Sequence, residues 1–350
     1  MLRKKNLFII VISTLLSHTL YAQIGGESTY QFLSLPFSAR TSALAGSSSS
    51  VYDNDLTLAL SNPSLLDSSM HQHISINYAD YLKDINYGTA AYAYHSAKLG
   101  TFALALNYFN YGEFTEADET SQKLGTFTSS DYAFNLLYAR PISNQIQVGA
   151  SMKVLYSDYY LYSSSGIAFD LAATYHKDQT GFSSSLLISN LGFQFKPYRE
   201  SNYESLPLDV QLGVSQRLKY APFRVMLQMH HLHNWNLAYD SPLKDNTGVL
   251  GQKDKEEEKP NAFTQSLDEL IRHINVGVEF IPVKNIYLRA GFNFQRYKEL
   301  VVDSKFGMVG FGLGAGIRIY KFHISYSHAF YHVSGATNTF SVSSNLNEFF

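Results

Sequence analysis

Between residues 285 and 294 the chain reads NIYLRAGFNF. Ile286, Leu288, Ala290, Phe292 and Phe294 fall on one parity, while Tyr287, Arg289, Gly291, Asn293 and then Gln295 fall on the other. A strand sends successive side chains to opposite faces, so a period of two separates oil from charge. The same separation recurs in LDVQLGVSQRL, where Leu208, Val210, Leu212, Val214 and Leu218 oppose Asp209, Gln211, Ser215 and Arg217. In GIAFDLAATY, Ile167, Phe169 and Leu171 oppose Asp170 and Thr174. An arginine facing lipid at mid-bilayer costs roughly 2–4 kcal/mol, whereas a hydrated lumen accepts it at little cost. Asp170, Asp209, Arg217, Glu279 and Arg289 are therefore expected to face inward, where acids and bases can pair, and the apolar parity to face lipid.

Alternating runs of this kind number about fourteen: 72–79, 86–96, 100–110, 130–140, 145–156, 165–176, 180–191, 207–219, 222–234, 271–282, 285–296, 306–320, 321–333 and 338–347. Most are near the ~9–11 residues that cross a bilayer as a tilted strand. Tight connections at 141–144, 177–179, 220–222 and 282–284 alternate with longer ones at 111–129, 157–164, 192–206, 235–270 and 297–305. A membrane barrel with short turns at one end and long loops at the other has this rhythm. A soluble β-sandwich has no cause to keep it. The predicted fold is all-β: a transmembrane antiparallel β-barrel of about fourteen strands with an N-terminal segment plugging its lumen. The 26 Tyr and 24 Phe beside one Trp, with only 16% charged residues, suit strands that meet lipid on one face and water on the other. A net charge of −2 gives no basic surface that calls for nucleic acid.

Three regions follow. Residues 1–22 have the layout of a signal peptide: Arg3, Lys4 and Lys5 precede the apolar run 7–16, and Ala22 stands before the expected cut. Residues 23–70, rich in small side chains, form the lumen segment, and 71–350 form the barrel. The chain has no cysteine and so no disulfide framework. The long external loop 235–270 carries the solvated charge run GQKDKEEEKPNAF, and after it Ser266 and Glu269 have capping-box spacing, which predicts a short helix starting there. The glycines of FGMVGFGLGAGI at 306–317 mark a strand that bends or lets the lumen segment come close. At the other end of the chain, Phe340, Val342, Leu346 and Phe350 share one parity, and the terminal Phe350 resembles the insertion signal of outer-membrane barrels.

Little points to catalysis. In MHHLHNW, His231 and His233 share a predicted strand face and would need a third ligand from a neighbouring strand to hold a metal. Neither HExxH nor CxxC is present, and the cluster beside Trp235 reads as an interfacial belt. No spacing of Ser and His identifies a nucleophile with its base. The expectation is a noncatalytic protein with no cofactor and no metal.

Two resemblances extend this reading. The stretch from Gly25 to Ser68, with Ala39, Arg40, Leu44, Gly46, Asn62 and Pro63, resembles the N-terminal segment of FadL-type outer-membrane proteins, with Ser64 where that family usually has alanine. It implies a segment lodged inside a fourteen-stranded barrel. Over the longer span from Gly25 to Phe350, the motifs YLKDINYGTAAYAYH, YGEFTEAD, SDYAFNLLYARP, YSSSGIAFDLAATY, LPLDVQLGVSQRL and TNTFSVSSNLNEF resemble the PorQ-type barrels of the type IX secretion system of Bacteroidetes. That resemblance implies an outer-membrane component of the attachment complex, anchoring a PorZ-like surface protein beside the PorU sortase and a PorV-like barrel while cargo is processed and attached to lipopolysaccharide. The alternative, implied by the FadL resemblance, is an uptake channel for hydrophobic small molecules. The polar inward set favours a filled interior over a greasy conduit.

Overall fold

A computed structural model describes residues 28–237, 262–300, 308–332 and 335–349. The expected signal peptide, most of the charged run in loop 235–270 and Phe350 lie outside these residues. Seven strands form one half of the sheet: β1 (His73–Leu82), β2 (Ile85–Ser96), β3 (Gly100–Ala117), β4 (Lys123–Pro141), β5 (Ile146–Tyr159), β6 (Tyr162–Lys177) and β7 (Phe182–Lys196). The other half consists of β8 (Asp209–Arg217), β9 (Phe223–Met229), β10 (Ile274–Val283), β11 (Ile286–Asn293), β12 (Phe311–Ile319), β13 (Phe322–His332) and β14 (Gly335–Asn345). Each strand runs antiparallel to its neighbours, and β14 pairs with β1 to close the barrel, with Tyr78 opposite Phe340. Fourteen strands and closure are what the alternation predicts. Among the described residues no helix is long and apolar enough to cross a membrane.

The period of two sorts the two faces. On β3, Leu104 is 61% exposed between Ala103 at 2% and Ala105 at 8%. Ile76, Phe134, Leu136, Phe169 and Leu288 continue the outer apolar face, while Ser75, Asn77, Ser151 and Thr174 are buried inside. Fourteen strands enclose more space than small wall side chains can fill, and residues 28–72 occupy it. The segment enters beside the β7–β8 loop, where Thr29 N–H donates to the Ser205 carbonyl. It then forms the short helices α1 (Ala39–Ala43) and α2 (Leu56–Ala59) and reaches β1 at the end of the barrel that carries the tight turns.

Glycines in the wall make room for it. A Cβ on Gly291 would lie 2.2 Å from the Leu44 carbonyl carbon, and one on Gly312 would lie 2.5 Å from the Ser42 carbonyl oxygen. Both neighbours are backbone and cannot rotate away. These positions have no side chain because another chain segment lies where it would go.

Several boundaries differ from the sequence expectation. Residues 111–129, expected as a connector, are mostly strand, because β3 and β4 continue far past the membrane-crossing length. Phe114 and Phe127 stack there at 5.3 Å, and Phe127 stacks on Tyr160 at 4.5 Å, which extends the pairing. The expected connector 157–164 shrinks to the turn between Tyr159 and Tyr162. β9 stops at Met229 because the Asp209 carboxylate accepts the His231 N–H at 2.6 Å, and His231 turns into the left-handed region at φ 55°. His231 and His233 therefore do not share a strand face. β11 ends at Asn293, whose side chain accepts the Arg296 N–H and starts α4 (Phe294–Leu300), so Phe294 and Gln295 leave the alternation. The helix in the long loop is α3 (Ala262–Arg272); Ser266 and Glu269 sit inside it rather than at its start. The helix therefore begins four residues before the expected cap. Leu346 belongs to a 3₁₀ turn after β14, so the last parity run ends at Asn345.

Replacing Gly291 with Val should displace the lumen segment at a cost of roughly 1–3 kcal/mol, as overpacking does. Residues 28–70 should become protease-sensitive, while the barrel keeps its heat-modifiable gel mobility.

Candidate functional site

The lumen segment is held to the wall at three levels. At the loop end, Tyr30 and Phe32, each 2% exposed, pack with Tyr87, Phe109, Leu155 and Leu206. Tyr87 stacks on Phe109 at 5.5 Å and donates its hydroxyl to the Pro36 carbonyl. These side chains form an apolar cluster at the loop end. Beside it the buried Asp131 has no cationic partner among the described residues; it accepts from the hydroxyls of Tyr111 at 2.7 Å, Tyr159 at 2.9 Å and Ser157.

At the middle level small polar contacts dominate. Ser38 caps α1 by accepting the Thr41 N–H, and the Ala39 N–H donates to Ser341 Oγ on β14 at 2.8 Å. Leu44 is fully buried, and Gly46, at φ 89°, returns its N–H to the Thr41 carbonyl to end the turn. Asn62 is completely enclosed. Its Nδ2 donates to the Ser49 carbonyl at 2.6 Å, and its Oδ1 accepts from the Ser64 N–H and hydroxyl. Pro63 follows at the first position of a 3₁₀ turn, where its missing N–H costs nothing, and its backbone presses on Gly149 of β5. Ser64 adds a 2.7 Å hydroxyl contact to Thr174 on β6.

Toward the turn end lies the strongest contact. Glu279 on β10 stands directly across from Arg224 on β9 and Arg289 on β11. It is fully buried and accepts from Arg40 at 2.8 Å through both carboxylate oxygens, from Arg224 at 2.8 Å and from Arg289 at 2.9 Å. Arg40, from α1, also binds Asp53 at 2.8 Å and Asp55 at 3.0 Å, and Asp53 bridges back to Arg224 at 2.8 Å. Three guanidiniums and three carboxylates thus neutralise one another inside the barrel, joining the lumen segment to three strands. Burial opposes ionisation of Asp55, but the charge and hydrogen bond of Arg40, with His323 and the Thr57 hydroxyl, together outweigh it and hold the carboxyl down to about 2. A second buried pair, Lys153 with Asp170 at 2.8 Å, ties β5 to β6.

Of the five charges expected inside, Asp170, Glu279 and Arg289 are buried and ion-paired. Asp209 is half-buried at the loop end, where it holds Gln211 and the His231 N–H. Arg217 is exposed at the turn-end mouth. Arg224 was missed, although FRVMLQM alternates as cleanly as the other runs. Asp53 and Asp55 lie off the strands, where no periodicity marks them. The histidines gather without a ligand geometry: the His231 and His233 ring centres are 6.1 Å apart. No group of three metal-ligating side chains forms among the described residues. The arrangement is a buried ion-paired latch that fixes the lumen segment to β9, β10 and β11.

No family model and no curated protein matches the chain. Solved structures do. A deletion mutant (deltaS2) of the TodX monoaromatic hydrocarbon channel aligns at TM-score 0.52 and 10% identity, covering 88% of this chain and 97% of that one. The Pseudomonas putida toluene transporter TodX aligns at TM-score 0.51 and 10% identity, covering 89% and 98%. The deltaS2S3 mutant of TodX aligns at 0.52 and 11%, covering 89% and 99%. The shared property is the fold, a closed antiparallel β-barrel, and these neighbours are named as channels and transporters.

Replacing Arg40 with Ala leaves Glu279 and Asp55 short of charge and should destabilise the docked lumen segment by about 3–5 kcal/mol. Limited proteolysis of the folded barrel reads this as faster cleavage within residues 28–70. Acid should act through the same group. Asp55 titrates below the ordinary value of about 3.9, so it favours docking above pH ~4 and loses that contribution as pH falls toward 2. Pepsin should accordingly cut the segment faster at pH 2 than at pH 4, beyond the enzyme's own pH response on an unfolded control.

Proposed function

We propose that this chain is a noncatalytic outer-membrane anchor, a closed cylinder in lipid whose loop end holds a surface partner. The reading rests first on the loop end. Buried aromatic side chains of the lumen segment cluster there, and a β-hairpin rises above them. Strands β3 and β4 have 18 and 19 residues, against the ~9–11 that cross a bilayer, so their paired ends stand in water as a stiff stem. Leu124 at 63% exposure and Leu161 at 75% lie at the tips of this hairpin and the adjacent β5–β6 hairpin. Apolar side chains on a rigid stem outside the membrane suit protein contact better than solute passage. The PorQ-type resemblance identifies the partner as a PorZ-like protein, near a PorU sortase and a PorV-like barrel, with lipopolysaccharide receiving the cargo. Nothing in the comparisons speaks for that secretion role; it stands on sequence resemblance.

The second reading is a FadL-like channel for hydrophobic small molecules, and the solved structures lean toward it, since the TodX forms are named as hydrocarbon channels. On this reading the lumen segment is a gate and the Arg40 cluster its latch. The two readings separate experimentally. The anchor reading expects a surface protein to co-purify from mild detergent, and a Leu124→Asp, Leu161→Asp double variant to lose it while the barrel stays folded. It also expects toluene uptake to be unchanged in a deletion strain. Uptake that depends on this chain, with no surface protein recovered, would overturn the anchor in favour of the channel.

A further inference from the structure

At the turn end the lumen opens into a cavity of about 480 Å³, within the usual size of small-molecule sites. Six Arg and Lys side chains line it against three carboxylates, in a chain whose overall charge is −2. Two of those carboxylates, Asp53 and Asp55, are committed to Arg40 and Arg224 in the latch beneath. The third, Glu348, reaches Arg318 only at 3.5 Å between exposed side chains. Arg217 and Lys284 make no ion pair among the described residues. Moreover, Arg217 stands directly across from Arg224 in the β8–β9 pair, an opposition of like charges that disfavours the strand pairing. His323 also lines the cavity, and its Nε2 is buried with no hydrogen-bond partner among the described residues. Positive charge and an unused ring nitrogen thus converge where the fold does not need them.

We propose that this cavity binds a phosphate-bearing ligand drawn from the compartment on the turn side of the membrane. Arg217 on β8, Lys284 at the β10–β11 turn and Arg318 on β12 line it from separate elements, with Ser343 on β14 beside them. A phosphate offers enough oxygens for such a set, and charge-assisted hydrogen bonds to it are the strong kind. The volume exceeds what a bare ion needs, so the ligand is a small phosphomonoester or a phospholipid headgroup. The site lies at the opposite end from the proposed partner surface, and its failure would leave the anchor reading intact.

The test is a ³¹P NMR titration of the whole processed protein in detergent with glycerol 3-phosphate. The expected result is saturable binding, weakened at least about tenfold (roughly 1.4 kcal/mol) in R217Q/K284Q. Lys123→Gln at the far end of the barrel should bind as the parent does. Among the described residues neither substituted side chain hydrogen-bonds or ion-pairs with the lumen segment, so unchanged protease resistance of residues 28–70 shows that the double variant is folded. Repeating the titration in nanodiscs distinguishes the source: binding lost with phosphatidylglycerol but kept with phosphatidylcholine identifies a lipid headgroup, and binding kept in both identifies a soluble ester. Absence of saturable binding at millimolar ligand, or an R217Q/K284Q affinity equal to the parent's, overturns the proposal.

Discussion

The docking of the lumen segment depends on one buried carboxylate. Glu279 sits at the junction of β9, β10 and β11, and without cations it would be an uncompensated charge inside the barrel. Two neighbouring strands supply Arg224 and Arg289, but three mutually repelling guanidiniums around one acid are stable only if further acids arrive. The lumen segment brings both the third guanidinium, Arg40, and the balancing carboxylates, Asp53 and Asp55. Plug and wall are therefore electrostatically incomplete without each other. A buried network of this kind adds little to stability over a well-packed apolar core, but losing one member is expensive. That asymmetry suits a latch that fixes one arrangement.

The latch shares the work with packing. Aromatic side chains of residues 30–37 pack at the loop end, and Leu56, Leu58, Leu65, Leu66 and Met70 pack against alanines of β2, β3 and β4. Small wall residues at these levels are the counterpart of the bulk carried by the segment. Gly291 and Gly312 take the same logic to its limit, where the segment's backbone itself occupies the space of a side chain. The same construction leaves the two ends unlike. The loop end carries long paired strands and exposed apolar tips, while the turn end carries a basic cavity over the latch.

The outer face, the inner face and the number of strands were legible because each rests on local alternation, and water on one side and lipid on the other select it at every strand. The wall charges Asp170, Glu279 and Arg289 were legible for the same reason, as Arg224 would have been. The reach of β3 and β4 was not, because outside the membrane no solvent difference enforces alternation, and stacking across strands decides where pairing stops. His231 was misplaced because a carboxylate distant in sequence, Asp209, takes its N–H and ends β9.

By itself, then, the sequence determined that this chain closes into a fourteen-stranded barrel with charge inside, since a two-residue period needs only neighbouring residues and two solvents. What the tertiary structure alone decided is which charges meet. Arg40 and Glu279 are 239 positions apart, and no periodicity relates a lumen segment to the wall it will touch. Their pairing depends on the registers of three strands and the path of the plug, which exist only after the barrel has closed around it.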